Sequence, residues 1–144
     1  MNGVVVSTSK SEKTGVKKEP CPSVVLRENY GIEGDAHASE KWHRQVSLLA
    51  VESIAKMEEL GIKANFGDFA ENITTKGLEL FTMPVGTHLA FGEVILEVTQ
   101  IGKKCHHGCE IFKQVGKCIM PTEGIFTKVI KGGTISVGDD IRVL

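Results

Sequence analysis

The chain has 144 residues, of which 41% are hydrophobic and 24% are charged, a composition typical of globular proteins. Its 17 basic and 18 acidic side chains give a net charge of −1, without the basic excess that nucleic-acid binding requires. No apolar run approaches the roughly 20 residues that span a bilayer, and the amino terminus lacks the features of a signal peptide. We therefore expect one cytoplasmic domain over residues 1–144, with no nucleic acid or membrane as partner.

Short runs rich in valine, isoleucine and threonine alternate with glycines, which predicts a mainly β fold because tight turns favour glycine. The clearest candidate strand is Val94–Ile101, where apolar and mixed positions alternate. Two glycine-acid pairs, Gly92-Glu93 and Gly138-Asp139, predict hairpins. In chain order the candidate strands are Val4–Thr8, Val24–Glu28, Gln45–Leu49, Phe69–Thr74, Thr87–Phe91, Val94–Ile101, Ile125–Val129 and Asp140–Leu144.

Two segments have the spacing of short helices instead. The first, Ala50 to Leu60, has an apolar stripe on one side, and Gly61 is placed to cap its carboxyl end. The second, Cys109 to Val115, lies between Gly108 and Gly116. We expect the first helix to cover the sheet and the second to begin beside a group of cysteines.

That group lies in the segment KKCHHGC, residues 103–109, directly after the strongest candidate strand. Lysine, protonated histidine and a helix amino terminus all lower the pKa of a thiol, and a thiolate is both a nucleophile and a metal ligand. Cys105 has all three in its neighbourhood, with Lys103, Lys104 and His106 beside it. The exposed amides of the following helix can also hold an anion. Cys105 is therefore the leading candidate for a reactive thiolate.

Other interpretations of the cysteines stay open. Zinc binds cysteine and histidine, but a second, separate ligand pair is missing from this single cluster. Cys109 and Cys118 are close enough along the chain to share or replace the role of Cys105. Unpaired cysteines are also commonly buried as small apolar residues, which is the favoured interpretation for Cys21 and Cys118.

A second polar segment contains Gly31-Ile32-Glu33-Gly34-Asp35-Ala36-His37 and is followed by Trp42-His43-Arg44-Gln45. Its glycines predict a backbone bend near a ligand, or a turn with solvated charges. Arg44 has the planar, forked donor geometry that binds anionic groups through two hydrogen bonds.

These segments together resemble the MOSC domain, named after the C-terminal domain of molybdenum cofactor sulfurases. The resemblance follows the chain in order. It rests on residues 31–37, on RQVSLL at 44–49, on FGDFAENITTKGL at 66–78, on PVGT at 84–87 and on GTISVGD at 133–139.

The resemblance implies a mixed-topology β-barrel of the MOSC or pyruvate-kinase-barrel type, with two or three short helices. It also implies a cysteine after a long strand, a position that Cys105 matches. In the family, this cysteine receives sulfur as a persulfide from a pyridoxal-phosphate cysteine desulfurase, or ligates molybdenum. The residues implied to hold the molybdenum cofactor are Lys103, Lys104, His106, Arg44, His37 and Asn72.

The resemblance thus favours a sulfur-carrier or cofactor-binding domain for the molybdenum cofactor (molybdopterin). Its implied partners are a cysteine desulfurase, which would carry the pyridoxal phosphate, and molybdoenzymes or cofactor-biosynthesis proteins. Two alternatives stay open: a molybdenum-dependent reductase of N-hydroxylated substrates, and a non-enzymatic cofactor carrier. Longer relatives carry additional domains for which this chain has no room, so catalysis would depend on a partner.

Overall fold

The computed structural model of the protein describes residues 2–13, 16–61, 63–102 and 123–144. Its elements are β1 (Asn2–Lys10), β2 (Glu19–Cys21), β3 (Ser23–Arg27), β4 (Gly31–Ile32), β5 (Val46–Ala50), α1 (Val51–Glu59), β6 (Ile73–Lys76), a 3-10 helix (Leu80–Thr82), β7 (His88–Phe91), β8 (Val94–Ile101), β9 (Ile125–Lys131), β10 (Gly133–Ser136) and β11 (Asp140–Val143).

Seven strands close into a barrel in the order β1, β11, β7, β8, β9, β5, β6 and back to β1. β5 and β6 run parallel, while the other neighbouring pairs of the ring are antiparallel. Closure pairs backbone groups that would otherwise form open sheet edges. β2 pairs with the end of β1, and β10, β3 and β4 form a separate three-stranded sheet. The predicted mainly β barrel of mixed topology is confirmed.

The barrel interior is filled by alternating apolar side chains. On β8, Val94, Leu96 and Val98 are buried, as the alternation in the sequence predicts. β5 is buried along its whole length. Its outward-facing Leu49 packs with Phe126 of β9 and with α1 in a second apolar cluster. The polar residues discussed below lie beside this covered face.

The predicted helix after β5 is present as α1, which ends before Gly61, a residue with a φ of +86°. The other predicted helix, Cys109–Val115, lies outside the described residues. No helix in the described ranges has the length and apolar character needed to cross a membrane.

The strand predicted at Phe69–Thr74 begins later than expected, at Ile73. Residues 66–71 instead form a tight loop in which Gly67 and Ala70 have φ values of +88° and +65°. The buried carboxylate of Glu71 accepts the backbone N–H groups of Gly67 and Phe69 at 3.0 and 3.1 Å. These bonds satisfy backbone donors that a strand ladder would otherwise pair.

Only one of the two predicted hairpins forms. β7 and β8 pair across Gly92-Glu93, with Phe91 opposite Val94. The Gly138-Asp139 turn instead connects two different sheets, because β10 pairs with β3 whereas β11 pairs with β1 and β7. The backbone of this turn bonds to Val5 of β1 through Gly138 and Asp139, so the hairpin prediction was wrong here.

Candidate functional site

Of the residues predicted to form the site, His37, Arg44 and Asn72 lie in the described part of the chain. Lys103, Lys104, Cys105 and His106 lie outside it, and so does the alternative zinc cluster with Cys109 and Cys118. Their assignments stay predictions. The site can therefore be built from its described side, beginning at Asn72.

Asn72 joins three neighbouring strands at the point where β6 begins. Its side-chain Oδ1 accepts both the backbone N–H and the hydroxyl of Ser47, at 3.0 and 3.1 Å. Its Nδ2 donates to the carbonyl oxygen of Ser9 at 3.1 Å, and the Ser9 N–H returns a bond to the Asn72 carbonyl at 2.7 Å. Asn72 is 1% exposed, so these bonds fix the relative positions of β1, β5 and β6.

Glu71, beside Asn72, is a fully buried carboxyl group. Burial raises the pKa of Glu71, while hydrogen bonds from Gly67, Phe69 and Thr74 act in the opposite direction. The bond from the hydroxyl of Thr74 measures 3.2 Å. None of the ion pairs among the described residues includes Glu71, so its charge is opposed by neutral donors alone.

His37 lies against a buried ion pair. The Nζ of Lys18 donates to Asp35 Oδ1 at 2.7 Å, and both side chains are completely buried. The same Nζ lies 3.2 Å from His37 Nδ1. Asp35 also accepts the backbone N–H groups of Ser11 and His37, each at 3.1 Å. Lysine and aspartate are almost never buried unless paired, and here each has its partners.

Lys18 is held in place through its backbone as well. Its N–H donates to the carbonyl oxygen of Gly67 at 2.8 Å. A Cβ added at Gly67 would overlap the carbonyl oxygen of Lys18 and would lie 3.2 Å from Ser9 Oγ. Glycine is required at this position by both its positive φ and this close approach.

Arg44 has different surroundings. Its guanidinium carbon lies 4.4 Å from the centroid of the Trp42 ring and 5.4 Å from that of Phe126, within the range of cation–π attraction. Its Nε is buried and has no hydrogen-bond partner among the described residues. No ion pair within those residues includes Arg44 either. Within the part of the chain that the structure describes, this arginine is a positioned cation without an anion.

Two of the three described site residues, Arg44 and Asn72, are linked through neighbouring side chains of β5 and β9. Ser47, which bonds Asn72, is paired across the strands with Phe126, which Arg44 contacts. Paired Cα atoms in antiparallel strands lie about 4.5–5.5 Å apart. On the other side, Asn72 bonds to the backbone of Ser9, and the backbone N–H of Lys18 bonds to Gly67. We call these residues the site face, which comprises the partly exposed His37 and Arg44 and the buried Ser9, Lys18, Ser47 and Asn72.

The segment that contains Cys105 leaves and rejoins the barrel beside this face. The Gly102 N–H donates to the carbonyl oxygen of Gly124 at 2.7 Å, so the two ends of residues 103–122 are adjacent. Gly124 is two residues before Phe126. The carboxylate of Glu123 accepts Ser53 Oγ at 2.6 Å and Lys56 Nζ at 2.8 Å, which fastens this end to α1. The hydrogen bonds from Lys56 and Ser53 lower the pKa of Glu123 despite partial desolvation.

The described side of the site offers hydrogen-bond donors for an anionic group. Arg44 Nε and Ser9 Oγ are two of the three buried side-chain atoms without a partner in the described residues, and both can donate to an oxygen acceptor. In contrast, no group of three His, Cys, Asp or Glu side chains among those residues is arranged to hold a metal. A molybdenum cofactor, which is anionic, is compatible with the forked donors of the partly exposed Arg44.

Several residues of this face were not predicted from the sequence. Lys18 lies in the charged run Lys17-Lys18-Glu19, which is typical of solvated surface. Asp35 lies in a segment that attracted attention for its glycines, and nothing in the sequence indicated that it pairs with a buried lysine. Phe126 looked like an ordinary strand residue.

Comparison with known proteins agrees with this architecture. The MOSC domain family matches residues 33–142. The chain belongs to the MOSC family. The uncharacterized protein YflK of Bacillus subtilis is 26% identical in an alignment covering 94% of this chain. The alignment spans 65% of the length of that relative, so the MOSC chain corresponds to only part of it.

Solved structures show the same MOSC fold. The YuaD protein from Bacillus subtilis superposes with a TM-score of 0.83 at 16% identity, covering 99% of this chain and 96% of that one. YiiM from Escherichia coli has a TM-score of 0.63 at 19% identity, covering 98% of this chain and 69% of its own. YiiM from Geobacillus stearothermophilus gives 0.63 at 20% identity, covering 99% and 73%. At these identities the likeness concerns the fold alone.

Proposed function

We propose that this MOSC protein binds an anionic molybdenum–pterin cofactor at the site face, next to a Cys105 thiolate that accepts sulfur or ligates the metal. The observation that carries the proposal is Arg44, a cation held between two rings with no anionic partner in the described residues. Family membership is consistent with this ligand.

The two rings explain why Arg44 suits an anion. Stacking against Trp42 and Phe126 restricts the guanidinium plane, so less side-chain entropy is lost when a ligand binds. A guanidinium forms paired hydrogen bonds with phosphate and carboxylate oxygens. Its Nε lies away from water, where a bond to a charged acceptor contributes more than it does on an exposed surface.

Chain connectivity supports a role for Cys105 at the same face. Cys105 follows Gly102 by three residues, and three residues of extended chain span at most about 11 Å. Gly102 is bonded to Gly124, next to the strand that carries Phe126. The tether is therefore short between the proposed thiolate and the neighbourhood of Arg44.

When bound, the cofactor supplies redox chemistry at its metal, and the chain contributes binding, orientation and a thiol. Arg44 donates hydrogen bonds to its anionic oxygens. Lys103, Lys104 and His106 favour the thiolate form of Cys105 through their charge. Asn72, whose amide is already bonded to Ser9 and Ser47, keeps the strands below the ligand in register.

The sulfur step that we propose needs no added oxidant. The Cys105 thiolate attacks the outer sulfur of a persulfide on a cysteine desulfurase, forming a new S–S bond as the S–S bond of the donor breaks. The donor cysteine leaves as a thiolate, so the reaction exchanges one persulfide for another. A desulfurase and a molybdoenzyme or cofactor-biosynthesis protein are the partners that this step implies.

Sulfur transfer is tested by mass spectrometry after incubation with a cysteine desulfurase and cysteine. We expect wild type to gain one sulfur atom on Cys105 and Cys105→Ser to gain none. Cys21→Ser is the matched control, because Cys21 lies in β2 and is expected to leave labelling unchanged. Equal labelling of wild type and Cys105→Ser, or sulfur found on Cys109 or Cys118, contradicts the assignment to Cys105.

Cofactor binding is tested by the fluorescence of Trp42, the only tryptophan in the chain, which stacks on Arg44. Addition of isolated molybdenum cofactor should change the emission of wild type. Arg44→Lys keeps the charge but lacks the forked donors, and we expect binding about tenfold weaker or more. Lys41→Met removes an exposed neighbouring charge as a control. Equal affinity of wild type and Arg44→Lys would remove the basis of the proposal.

A further inference from the structure

A cavity of about 610 Å³ lies between two turns of the chain and shares no lining residue with the site face. One wall is formed by residues 27–30, at the end of β3, and the other by residues 38–41. Cavities of about 300–1,000 Å³ commonly hold small molecules. The volume is therefore sufficient for a ligand.

Gln45 holds the two walls at a fixed separation. This side chain is completely buried, and its Nε2 donates to the carbonyl oxygen of Ser39 at 3.0 Å and to Asn29 Oδ1 at 3.3 Å. Its Oε1 accepts the backbone N–H of Val129 at 2.9 Å. The Ser39 N–H donates to the carbonyl oxygen of Tyr30 at 2.8 Å, which joins the walls directly. A cavity with walls fixed in this way loses little conformational freedom when a ligand enters.

The same bonds determine which way round the amide of Asn29 lies. The backbone N–H of Val129 can only donate, so Gln45 turns its oxygen towards Val129 and its NH₂ group towards Asn29. Asn29 must then present Oδ1 to Gln45. Its Nδ2 makes no hydrogen bond within the described residues, and Asn29 lines the cavity. Nδ2 is therefore the donor with which Asn29 can bind a ligand there.

Charged side chains of both signs line this cavity. Arg27 and Lys41 are cationic, and the guanidinium of Arg27 lies 5.4 Å from the centroid of the Tyr30 ring, within the range of cation–π attraction. Glu28 and Glu40 are anionic. None of the ion pairs among the described residues includes any of these four charges. A ligand of one sign would be attracted by two of them and repelled by the other two, whereas a ligand that carries both signs matches the lining.

We propose that this cavity binds a zwitterion with a carboxylate and an ammonium group, which is the chemistry of free amino acids and short peptides. The ligand carboxylate accepts hydrogen bonds from Arg27 and from Asn29 Nδ2, and the ligand ammonium donates to the two glutamates. This site goes beyond the proposed function and depends on no residue of the site face.

Binding is tested by ¹H–¹⁵N spectra of the full-length protein titrated with alanine, dialanine and trialanine near neutral pH. We expect saturable shifts of the Asn29 side-chain NH₂ signals and of backbone signals from residues 27–30 and 38–41. The compound of highest affinity distinguishes a free amino acid from a peptide as the ligand. No saturable shift with any of the three, or shifts confined to other parts of the protein, would overturn the proposal.

Blocked forms of the compound that binds most tightly test whether both of its charges are recognised. Acetylation of the amino group removes the ammonium, and amidation of the carboxyl group removes the carboxylate. Each change should weaken binding about tenfold or more, because hydrogen bonds between charged groups contribute more than neutral ones. A blocked compound that binds as tightly as the zwitterion contradicts the assignment of the class of ligand.

Arg27→Gln tests the contact with the carboxylate. We expect the zwitterion to bind about tenfold more weakly or worse, with little change for the amidated compound, which has no carboxylate to lose. Arg142→Gln is the matched control, because Arg142 is an exposed arginine of β11 that does not line this cavity. An equal loss for both compounds, or no loss for either, shows that Arg27 does not bind the carboxylate.

Asn29→Asp tests the orientation of the amide. Aspartate keeps an acceptor for Gln45 and tolerates the left-handed backbone of this position, where φ is +49°, but it replaces the Nδ2 donor by an oxygen. We expect the variant to retain its circular dichroism spectrum and to bind the zwitterion about tenfold more weakly or worse. A folded Asn29→Asp protein with the affinity of wild type would show that this donor is not used.

This proposal and the proposed function fail in distinguishable ways, because the two sites share no residue. A protein that binds molybdenum cofactor but none of the three alanine compounds retains the proposed function and lacks the zwitterion site. A protein that binds the zwitterion but no molybdenum cofactor shows the reverse.

Discussion

Two cations of the site face, Lys18 and Arg44, differ in every respect that determines a role. The side chain of Lys18 is completely buried, and its ammonium donates to Asp35 and lies 3.2 Å from His37 Nδ1. Arg44 is partly exposed, is held by Trp42 and Phe126, and has no anionic partner among the described residues. A buried charge without a partner is strongly unfavourable, so Lys18 needs its pair for folding, whereas we propose that Arg44 pairs with a ligand.

Lys18 and Arg44 are therefore expected to differ in what their removal changes. Lys18 and Asp35 connect the segment that precedes β2 with the turn that carries His37, and their removal is expected to affect stability first. Arg44 stacks at the surface near the end of the Cys105 segment, and its removal is expected to affect ligand binding first. If both residues affected stability equally, or both affected binding alone, this division would be wrong.

The largest effect is expected from Asp35→Ala. It leaves the ammonium of Lys18 buried without a counter-ion and removes the acceptor of two backbone N–H groups, so the free energy of unfolding should fall by about 3–5 kcal/mol. Urea denaturation followed by circular dichroism measures this. Glu33→Ala removes an exposed carboxylate two residues away and should change stability by less than about 0.5 kcal/mol.

The double variant Lys18→Met with Asp35→Leu sharpens this result. Removing both charges should recover part of the loss, because no uncompensated charge remains buried. Recovery should be incomplete, since the backbone N–H groups of Ser11 and His37 still lack their acceptor. If Asp35→Ala is as stable as wild type, the Lys18–Asp35 ion pair does not stabilise the fold, and the distinction drawn between Lys18 and Arg44 is wrong.

Glu71 is the opposite case to Lys18. It is a buried carboxyl group that accepts hydrogen bonds but has no cationic partner among the described residues. Because burial raises the pKa of Glu71, folding favours the protonated form. That contribution is fully present below the unfolded value near 4.5 and is lost as pH rises through the folded value. Wild-type stability should therefore decline through this group as pH rises above 4.5.

Glu71→Gln abolishes this pH-dependent contribution. Glutamine keeps one acceptor oxygen but turns an amide towards the N–H of Gly67 or Phe69, so it should be less stable than wild type by about 1–3 kcal/mol at the acidic end. The difference should narrow with rising pH in urea denaturation series. Exposed Glu79→Gln is the control. A difference that widens with pH would show that the three hydrogen bonds outweigh burial and that the carboxylate form is preferred in the fold.

Much of the barrel was predictable because strand alternation is a local property. Val94–Ile101 shows its buried face in the order of its own residues, and α1 shows its stripe in the same way. The 66–71 loop was not predictable, since the pattern FAENIT is strand-like and the turn depends on where the Glu71 carboxylate is buried. The hairpin predicted at Gly138-Asp139 was wrong for a related reason, because β10 pairs with β3, which is far away in the sequence.

In the candidate site, too, local side-chain properties could be predicted from the sequence, whereas contacts that depend on the fold could not. The forked donor geometry of Arg44 is a property of the side chain and was predicted, but its stacking on Phe126 requires β5 and β9 to be neighbours. Lys18 in Lys17-Lys18-Glu19 looks like a solvated charge until Asp35 is brought to it by the fold. Asn72 was predicted as a cofactor residue from the family resemblance, and that role remains a prediction beside its observed bonds to Ser9 and Ser47.

The smallest change in stability is expected from Lys56→Met, which tests why Arg44 has no anionic partner among the described residues. Glu123 is the acid closest to Phe126 along the described chain, yet its carboxylate accepts Ser53 and Lys56 of α1. Lys56 is half-exposed, so Lys56→Met should lower stability by only about 0.5 kcal/mol or less.

The lowered pKa of Glu123 means that the stabilising contribution of this carboxylate is present above its unfolded value and is lost as pH falls through the folded value. Urea denaturation at about pH 4 and about pH 7 should show the difference between wild type and Lys56→Met shrinking at the acidic end. If Lys56→Met instead weakens binding of molybdenum cofactor to the extent that Arg44→Lys does, then the released Glu123 carboxylate competes for Arg44. The unpaired state of that arginine would then depend on α1 as well as on the two rings.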